Sequence, residues 1–357
     1  MSYRPKHVLV TGGAGFIGAN FVRHLLESDP QVSVVTLDLL TYAGSLDNLG
    51  DDLPGADRHR FVLGDICDRP LVESLLRDHA IDTVVHFAAE SHVDRSIDGP
   101  GEFVRTNVLG TWTLLDACRQ IWLNDQKLGR ADAHARRRFH HIGTDEVYGS
   151  LGPDDPPFSE TTPYAPNSPY SATKASSDHL VRAYFHTYGL PVTTTNCSNN
   201  YGPRQHAEKF IPTVIRHCIE GTDIPVYGDG ANVRDWLYVD DHCRAIDAVI
   251  RRGTVGETYT VGGCNEWRNV DIVALICTLL DARRPERAPH ARLVRFVTDR
   301  PGHDRRYAID AGKLDRELQW RPAESFETGI VKTLDWYVQE AAALGASTSS
   351  RASEQGR

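Results

Sequence analysis

The chain has 357 residues, 40% of them hydrophobic and 24% charged, and a formal net charge of −9. That length suits one large α/β domain plus a smaller lobe, and the composition is ordinary for a globular protein. The acidic balance argues against nucleic acid as a partner, because a binder of polyphosphate backbones carries a basic excess; a local cationic pocket for a small anion stays open.

No stretch approaches the roughly 20 apolar residues needed to span a bilayer. The opening segment MSYRPKHVLVTGG enters a strand at once, so no signal peptide, no membrane partner and a cytoplasmic location are expected. The cysteines are Cys67, Cys118, Cys197, Cys218, Cys243, Cys264 and Cys277, seven in all and without close C-x-x-C spacing. Buried free thiols of a reducing compartment are expected, and no metal site.

In chain order, apolar or β-branched runs at 7–11, 32–38, 60–63, 83–88, 139–143 and 191–196 read as buried parallel strands. Between them, 16–28, 70–79, 102–123 and 168–188 read as helices. This alternation predicts a Rossmann-type, doubly wound parallel sheet in the first 198 residues. The polar, arginine-rich stretch 124–138 reads as a surface loop. Beyond 196 the alternation fades into turns. Amphipathic segments at 209–220, 240–252, 270–282 and 325–341 predict helices, with a strand at 258–261. Segments 236–264 are expected to return to the first domain, leaving 199–235 and 265–340 as a smaller substrate-binding lobe. The small, polar tail over 341–357 is expected to be disordered.

The first strand ends in TGGAGFIG, residues 11–18. Gly12, Gly15 and Gly18 fit G-x-x-G-x-x-G, and Gly13, Gly15 and Gly18 fit G-x-G-x-x-G. Either spacing permits a tight turn and lets backbone N–H groups at a helix N-terminus meet a pyrophosphate. Asp38 closes the second strand 20 residues after Gly18. Its carboxylate suits the two ribose hydroxyls and repels a 2′-phosphate, which favours NAD over NADP. Asp65 and Ile66, after the third strand, stand where such folds hold adenine. Ala88 and Ala89 follow the fourth, on the pyrophosphate and nicotinamide side.

Tyr170 and Lys174 form Y-x-x-x-K on a predicted helix, where i and i+4 share a face. An ammonium and an oxidised nicotinamide both favour the phenolate, so Tyr170 can take a proton from a sugar hydroxyl. The fifth strand runs out into Thr144, Asp145 and Glu146, at the end where open sheets bind ligands. Thr144 can bond the hydroxyl being oxidised. Adjacent carboxyls can divide base and acid roles if their surroundings separate their proton affinities.

The chain resembles the dTDP-glucose 4,6-dehydratases of the extended short-chain dehydrogenase/reductase family from about 7 to 337. The resemblance is carried by TGGAGFIG (11–18), LTYAG (40–44), AAESHVDRSI (88–97), TDEVYG (144–149), YSATK (170–174), NCSNNYGP (196–203), RDWLYV (234–239) and DRPGHDRRY (299–307). It implies Tyr170 as oxidation base, Asp145 as acid for the C6 hydroxyl and Glu146 as base at C5, with Thr144 and Lys174 in support. It implies NAD contacts at Gly12, Gly15, Phe16, Ile17, Gly18, Asp38, Thr41, Asp65, Ile66, Ala88, Ala89, Ser91, Thr106, Tyr170, Lys174 and Asn200. Nucleotide-sugar contacts are implied at His92, Thr144, Asn199, Lys209, Phe210, Pro225, Val226, Tyr227, Arg234, Asn269, Arg300 and His303. Lys209, Arg234 and Arg300 suit a pyrophosphate.

Three positions depart from the family pattern: Gly143 for Ser, Leu39 for Lys and Phe210 for Leu. The short stretch from Gly149 to the Tyr170 helix resembles members that serve secondary metabolism. The resemblance also implies a homodimer built on the 102–123 and 168–188 helices. The reaction implied is conversion of dTDP-glucose to its 4-keto-6-deoxy product for deoxysugar biosynthesis. A UDP-sugar 4,6-dehydratase and a UDP-sugar 4-epimerase or decarboxylase on the same scaffold remain alternatives, as does a catalytically silent NAD-binding protein.

Overall fold

A computed structural model of the chain describes residues 3–123, 132, 135–299 and 304–354, with side chains to 342. Its centre is a seven-stranded sheet. In chain order β1 (His7–Thr11), helix α1 (Phe16–Ser28), β2 (Ser33–Asp38), β3 (His59–Leu63), α2 (Arg69–Asp78) and β4 (Thr83–His86) build one half. A short helix Pro100–Phe103 leads through a π-helical stretch, Val104–Gly110, into α3 (Thr111–Leu123). Then follow β5 (Arg138–Thr144), α4 (Pro169–Tyr188) and β6 (Val192–Cys197).

The strand order is β3-β2-β1-β4-β5-β6, extended beyond β6 by β10 (Thr258–Val261), and every pairing is parallel. This is the Rossmann-type doubly wound sheet, whose order reverses between β1 and β4 and opens a crevice at the strands' carboxyl ends. Its strands are buried on both faces because alternate residues feed different cores. Val8 and Val10 of β1 pack with Phe21, Leu25 and Ile246 on one side. Leu9 between them packs with Leu76, Leu114 and Trp122 on the other.

Beyond β6 the elements are β7 (Asn199–Tyr201), α5 (Phe210–Glu220), β8 (Ile224–Tyr227), β9 (Val233–Tyr238) and α6 (Val239–Arg252). After β10 come β11 (Glu266–Arg268), α7 (Asn269–Arg283), β12 (Val294–Val297) and α8 (Phe326–Glu354). Strands β11, β9 and β7 form one small sheet and β12 with β8 another. They pack around Tyr201, Trp236 and Phe326, with the Tyr201 and Phe326 rings 5.0 Å apart.

Several expectations need correction. Arg138 belongs to β5, not to a surface loop; it is buried, with its guanidinium 5.0 Å from the Tyr3 ring centre. Most of 124–137 lies outside the described residues. The helix expected over 102–123 is interrupted by the π-helical turns. The tail expected to be disordered continues α8 to Glu354; residues 341–346, Ala-Ala-Ala-Leu-Gly-Ala, are mostly strong helix formers that propagate a helix already nucleated. Cys264 is exposed and Cys67 half-buried, while the other five cysteines are buried. Among the described residues no helix is long and apolar enough to cross a membrane.

Helix α4 starts on a capping box. Ser171 N–H donates to Ser168 Oγ at 3.1 Å and Ser168 N–H to Ser171 Oγ at 3.0 Å, with Pro169 at the first helical position. Ser168→Ala is expected to cost about 1 kcal/mol, seen as a lower denaturation midpoint at unchanged slope.

Candidate active site

One cleft of about 310 Å³ lies at the carboxyl ends of the strands. The turn after β1 forms its floor. Gly15 is the N-cap of α1 and no side chain caps the helix there, so its first turn presents N–H groups suited to a phosphate. Gly18 has no room for a side chain: a Cβ there would lie 2.2 Å from the Gly12 carbonyl oxygen. Asp38 Oδ2 accepts the Ala14 N–H at 2.9 Å and Oδ1 accepts the Leu40 N–H at 2.8 Å. Each oxygen keeps a lone pair, so the carboxylate both braces the turn and can accept from a ribose.

Phe16, Ile17, Thr41, Asp65, Ile66 and Thr106 line the same cleft, as do Ala88, Ala89, Ser91 and Asn200. Asp65 accepts from Cys67 N–H at 2.8 Å and from Arg105 at 2.5 Å, tying the third strand's end to the π-helical stretch. Leu39, exposed at the rim, offers a nonpolar edge. Asn200 Nδ2 donates to the Ser198 carbonyl at 2.9 Å, and its Oδ1 lies 2.8 Å from His242 Nδ1. This set fits a dinucleotide: an open helix N-terminus, a turn too tight for Cβ atoms and a ribose-side carboxylate.

The five residues singled out for chemistry meet in the cleft. Thr144 ends β5 and caps the 3₁₀ turn Asp145–Tyr148, its Oγ1 accepting the Glu146 N–H at 3.3 Å and lying 3.3 Å from Asp145 Oδ1. Asp145 is 2% exposed and its Oδ2 has no hydrogen-bond partner among the described residues. Burial, then the Glu146 and Asp235 carboxylates, hold its carboxyl well above the usual range, against the opposing pull of Arg234. Glu146 is half-buried. Adjacent acids therefore have different surroundings, which favours a protonated Asp145.

Tyr170 and Lys174 face the cleft from the first turns of α4. Burial, then Glu146, pushes the Tyr170 phenol up, while a hydrogen bond with Thr144 works the other way. Lys174 is 5% exposed and donates to the Ile142 carbonyl at 2.7 Å. Burial lowers its proton affinity and the Asp178 carboxylate opposes that.

The nucleotide-sugar positions are more scattered. Asn199 and Lys209 line the cleft; Asn199 Oδ1 is buried with no partner among the described residues, and Lys209 donates to the Ser91 carbonyl at 3.2 Å. His92 stands beside them, near Glu208 at 3.9 Å. Phe210 stacks on Trp236 at 6.2 Å. Of the β8 trio Pro225, Val226 and Tyr227, Val226 turns its side chain into the lobe core, whereas Tyr227 is exposed. Asn269 opens α7.

Arg234 is not an open cation. It is buried, donates to the Asp304 carbonyl at 2.8 Å and lies 4.2 Å from the Tyr307 ring centre. Arg300 and His303 lie outside the described residues.

Sequence reasoning passed over a polar network beneath this site. His141 Nε2 lies 3.0 Å from Asp178 Oδ1, and Asp178 Oδ2 accepts from Tyr164 at 2.9 Å and from Asn196 at 3.1 Å. Asn107, inside the π-helical stretch, accepts the Glu90 N–H at 2.9 Å and donates to Thr173 at 2.9 Å, joining the loop after β4 to α4. The available signals were an asparagine beside Val108 and Leu109 in a helical run and paired histidines in a strand with no exposed face.

Gly18→Ala is expected to force the turn open and cut NAD affinity at least tenfold, measured by calorimetric titration of cofactor-stripped protein. Retained affinity would refute this account of the turn.

The family model described as GDP-mannose 4,6 dehydratase matches residues 9–333. A dTDP-glucose 4,6-dehydratase of Xanthomonas campestris pv. campestris (strain B100) is 59% identical over 334 residues, covering 92% of each chain. Among solved structures, the dTDP-glucose 4,6-dehydratase DesIV of Streptomyces venezuelae, with NAD bound, is 47% identical with a TM-score of 0.83, covering 93% of this chain and 97% of that one. The dTDP-glucose 4,6-dehydratase of Bacillus anthracis str. Ames, in complex with NAD, is 44% identical with a TM-score of 0.82, covering 93% and 96%. With its Rossmann-type sheet, its glycine turn and its acid pair beside Tyr170 and Lys174, the chain belongs to this 4,6-dehydratase family and, within it, to the dTDP-glucose 4,6-dehydratases.

Proposed function

We propose that the chain converts dTDP-glucose to dTDP-4-keto-6-deoxyglucose and water, with NAD as a cofactor regenerated in each cycle. The observation that carries this reading is the unequal pair of carboxyls at the end of β5, Asp145 buried and Glu146 half-buried, in one cleft with Tyr170. NAD, when bound, supplies the two-electron acceptor for C4 and the donor for C6.

The chain's own groups move the protons. Tyr170 takes the proton of the C4 hydroxyl, with Thr144 placed to bond that oxygen and Lys174 to favour the phenolate. The resulting ketone makes the C5 proton acidic. Glu146 removes it while Asp145 gives a proton to the C6 hydroxyl, which leaves as water. The acid role suits Asp145: its raised proton affinity keeps it neutral at pH values where an ordinary carboxyl is ionised, and the proton is lost only as pH rises through that raised value. Lys209, which lines the same cleft as Asn199, is assigned to the pyrophosphate.

Purified protein given dTDP-glucose is expected to yield a product lighter by one water. Tyr170→Phe should lower kcat roughly 100- to 10,000-fold. Glu146→Gln should still oxidise the sugar but stop there, with reduced cofactor building up. A product of unchanged mass would point to an epimerase instead, and full turnover by Tyr170→Phe would refute the assigned roles.

A homodimer fits the surface. Val104 is 53% exposed, and Leu109 and Trp112 are exposed on the same π- and α-helical run; Tyr188 is exposed at the end of α4, which packs on α3 through Tyr184 and Asp116 at 3.4 Å. These exposed nonpolar side chains support a dimer built on this face. Val104→Glu is expected to halve the mass seen by sedimentation, while an unchanged mass would place the interface elsewhere.

A further inference from the structure

Asp178 lies four residues beyond Lys174 and eight beyond Tyr170 on α4, so all three side chains share one helix face. It is buried, yet it is not an idle acid. Its two oxygens take three partners from three separate segments: His141 on β5, Asn196 on β6, and Tyr164 from the stretch leading into α4. A carboxylate survives such burial only if donors and a nearby cation compensate it.

The groups facing Lys174 are Asp178 on its own helix, His141 on β5, His86 on β4 and Cys197 on β6. Burial keeps both imidazoles neutral and pushes the Cys197 thiol up to about 12. Asp178 is thus the acid of this group, one helical turn from Lys174 on α4.

Gly143 completes the arrangement. It pairs with Asn196 across β5 and β6. A Cβ on residue 143 would lie 2.2 Å from Asn196 Oδ1 and 3.2 Å from Asp178 Oδ1. The Asn196 amide therefore lies over the bare backbone of Gly143 while its Nδ2 holds Asp178. The departure from Ser at this position coincides with that hold.

We propose that Asp178 is a positioning residue for sugar oxidation: held by His141, Tyr164 and Asn196 in the space left by Gly143, and one helical turn from Lys174, its carboxyl favours the charged form of that lysine. This rests on the reading of Tyr170 and Lys174 as the oxidation pair.

The chain has six lysines, few enough to titrate individually by NMR in full-length, ¹³C-lysine-labelled protein as isolated, with the Lys174 signal assigned by its loss in Lys174→Arg. In the parent protein Lys174 is expected to titrate above neutral pH. A midpoint of about 5–6, where buried lysines lacking an anion titrate, overturns the proposal without any change at Asp178.

Asp178→Asn is expected to lower the Lys174 midpoint by about 1 or more in pH, and Asp178→Glu to leave it near the parent's. An unmoved midpoint in Asp178→Asn with a native melting curve overturns the proposal. The kinetic readout is sugar oxidation in the Glu146→Gln background, where elimination does not follow. The pH above which oxidation is lost should fall by the same interval in Asp178→Asn; a midpoint that moves while this profile stays fixed overturns the positioning role. Sugar oxidation surviving Tyr170→Phe would instead sink the underlying reading, a failure visible without touching Asp178.

Discussion

The structure depends on how it buries charge at the carboxyl end of β5. Lys174 is 5% exposed and Asp145 2%, and an ionised group so placed costs several kcal/mol unless it is paired or gives up its charge. The two residues meet that constraint in opposite ways. Lys174 has a carbonyl at 2.7 Å and a carboxylate on its own helix. Asp145 has another acid beside it and an oxygen with no hydrogen-bond partner among the described residues, and its burial raises its proton affinity. A lysine with a carboxyl one helical turn away and an acid whose proton affinity is raised are what the proposed oxidation and loss of water ask of a site.

The Rossmann-type sheet makes this possible by geometry. The parallel strands are covered on both faces, so only their ends are open, and the reversal between β1 and β4 places the glycine turn, Asp38 and the end of β5 around one crevice. Strand β7 and the start of α5 bring Asn199 and Lys209 to the same opening. The small sheets pack on a core of their own, around Tyr201, Trp236 and Phe326, separate from the central sheet's two cores.

Much of this was legible in the sequence. Strands such as His7–Thr11, buried on both sides, read as unbroken apolar runs, and α1 matched its predicted span because a glycine turn and an amphipathic pattern both mark it. The residues that meet in the cleft were legible because turn glycines, Y-x-x-x-K and the acid pair are local patterns. The remainder is non-local. Strand β7 is three residues, Asn-Asn-Tyr, too short for any period. His140 sits in a run that reads as a buried strand, but nothing local shows that Thr193 and Thr195, more than fifty positions away, flank its ring at 2.9 and 3.2 Å. Arg234 looks like a free cation until the Asp304 carbonyl and the Tyr307 ring, some seventy residues on, enclose it. A sequence shows which side chains can ionise but not which distant backbone will answer them.

The π-helical stretch Val104–Gly110 has a consequence for how this chain can vary. Each wider turn carries an extra residue and so rotates the next turns about the helix axis. Asn107 points inward to the Glu90 loop and α4, while Val104, Leu109 and Trp112 point outward. Both faces are set by the phase of one helix. Substitutions can alter either face alone, but gaining or losing a single residue here would swing the inner clamp and the outer nonpolar strip out of register together. This segment is therefore open to changes of residue and closed to changes of length.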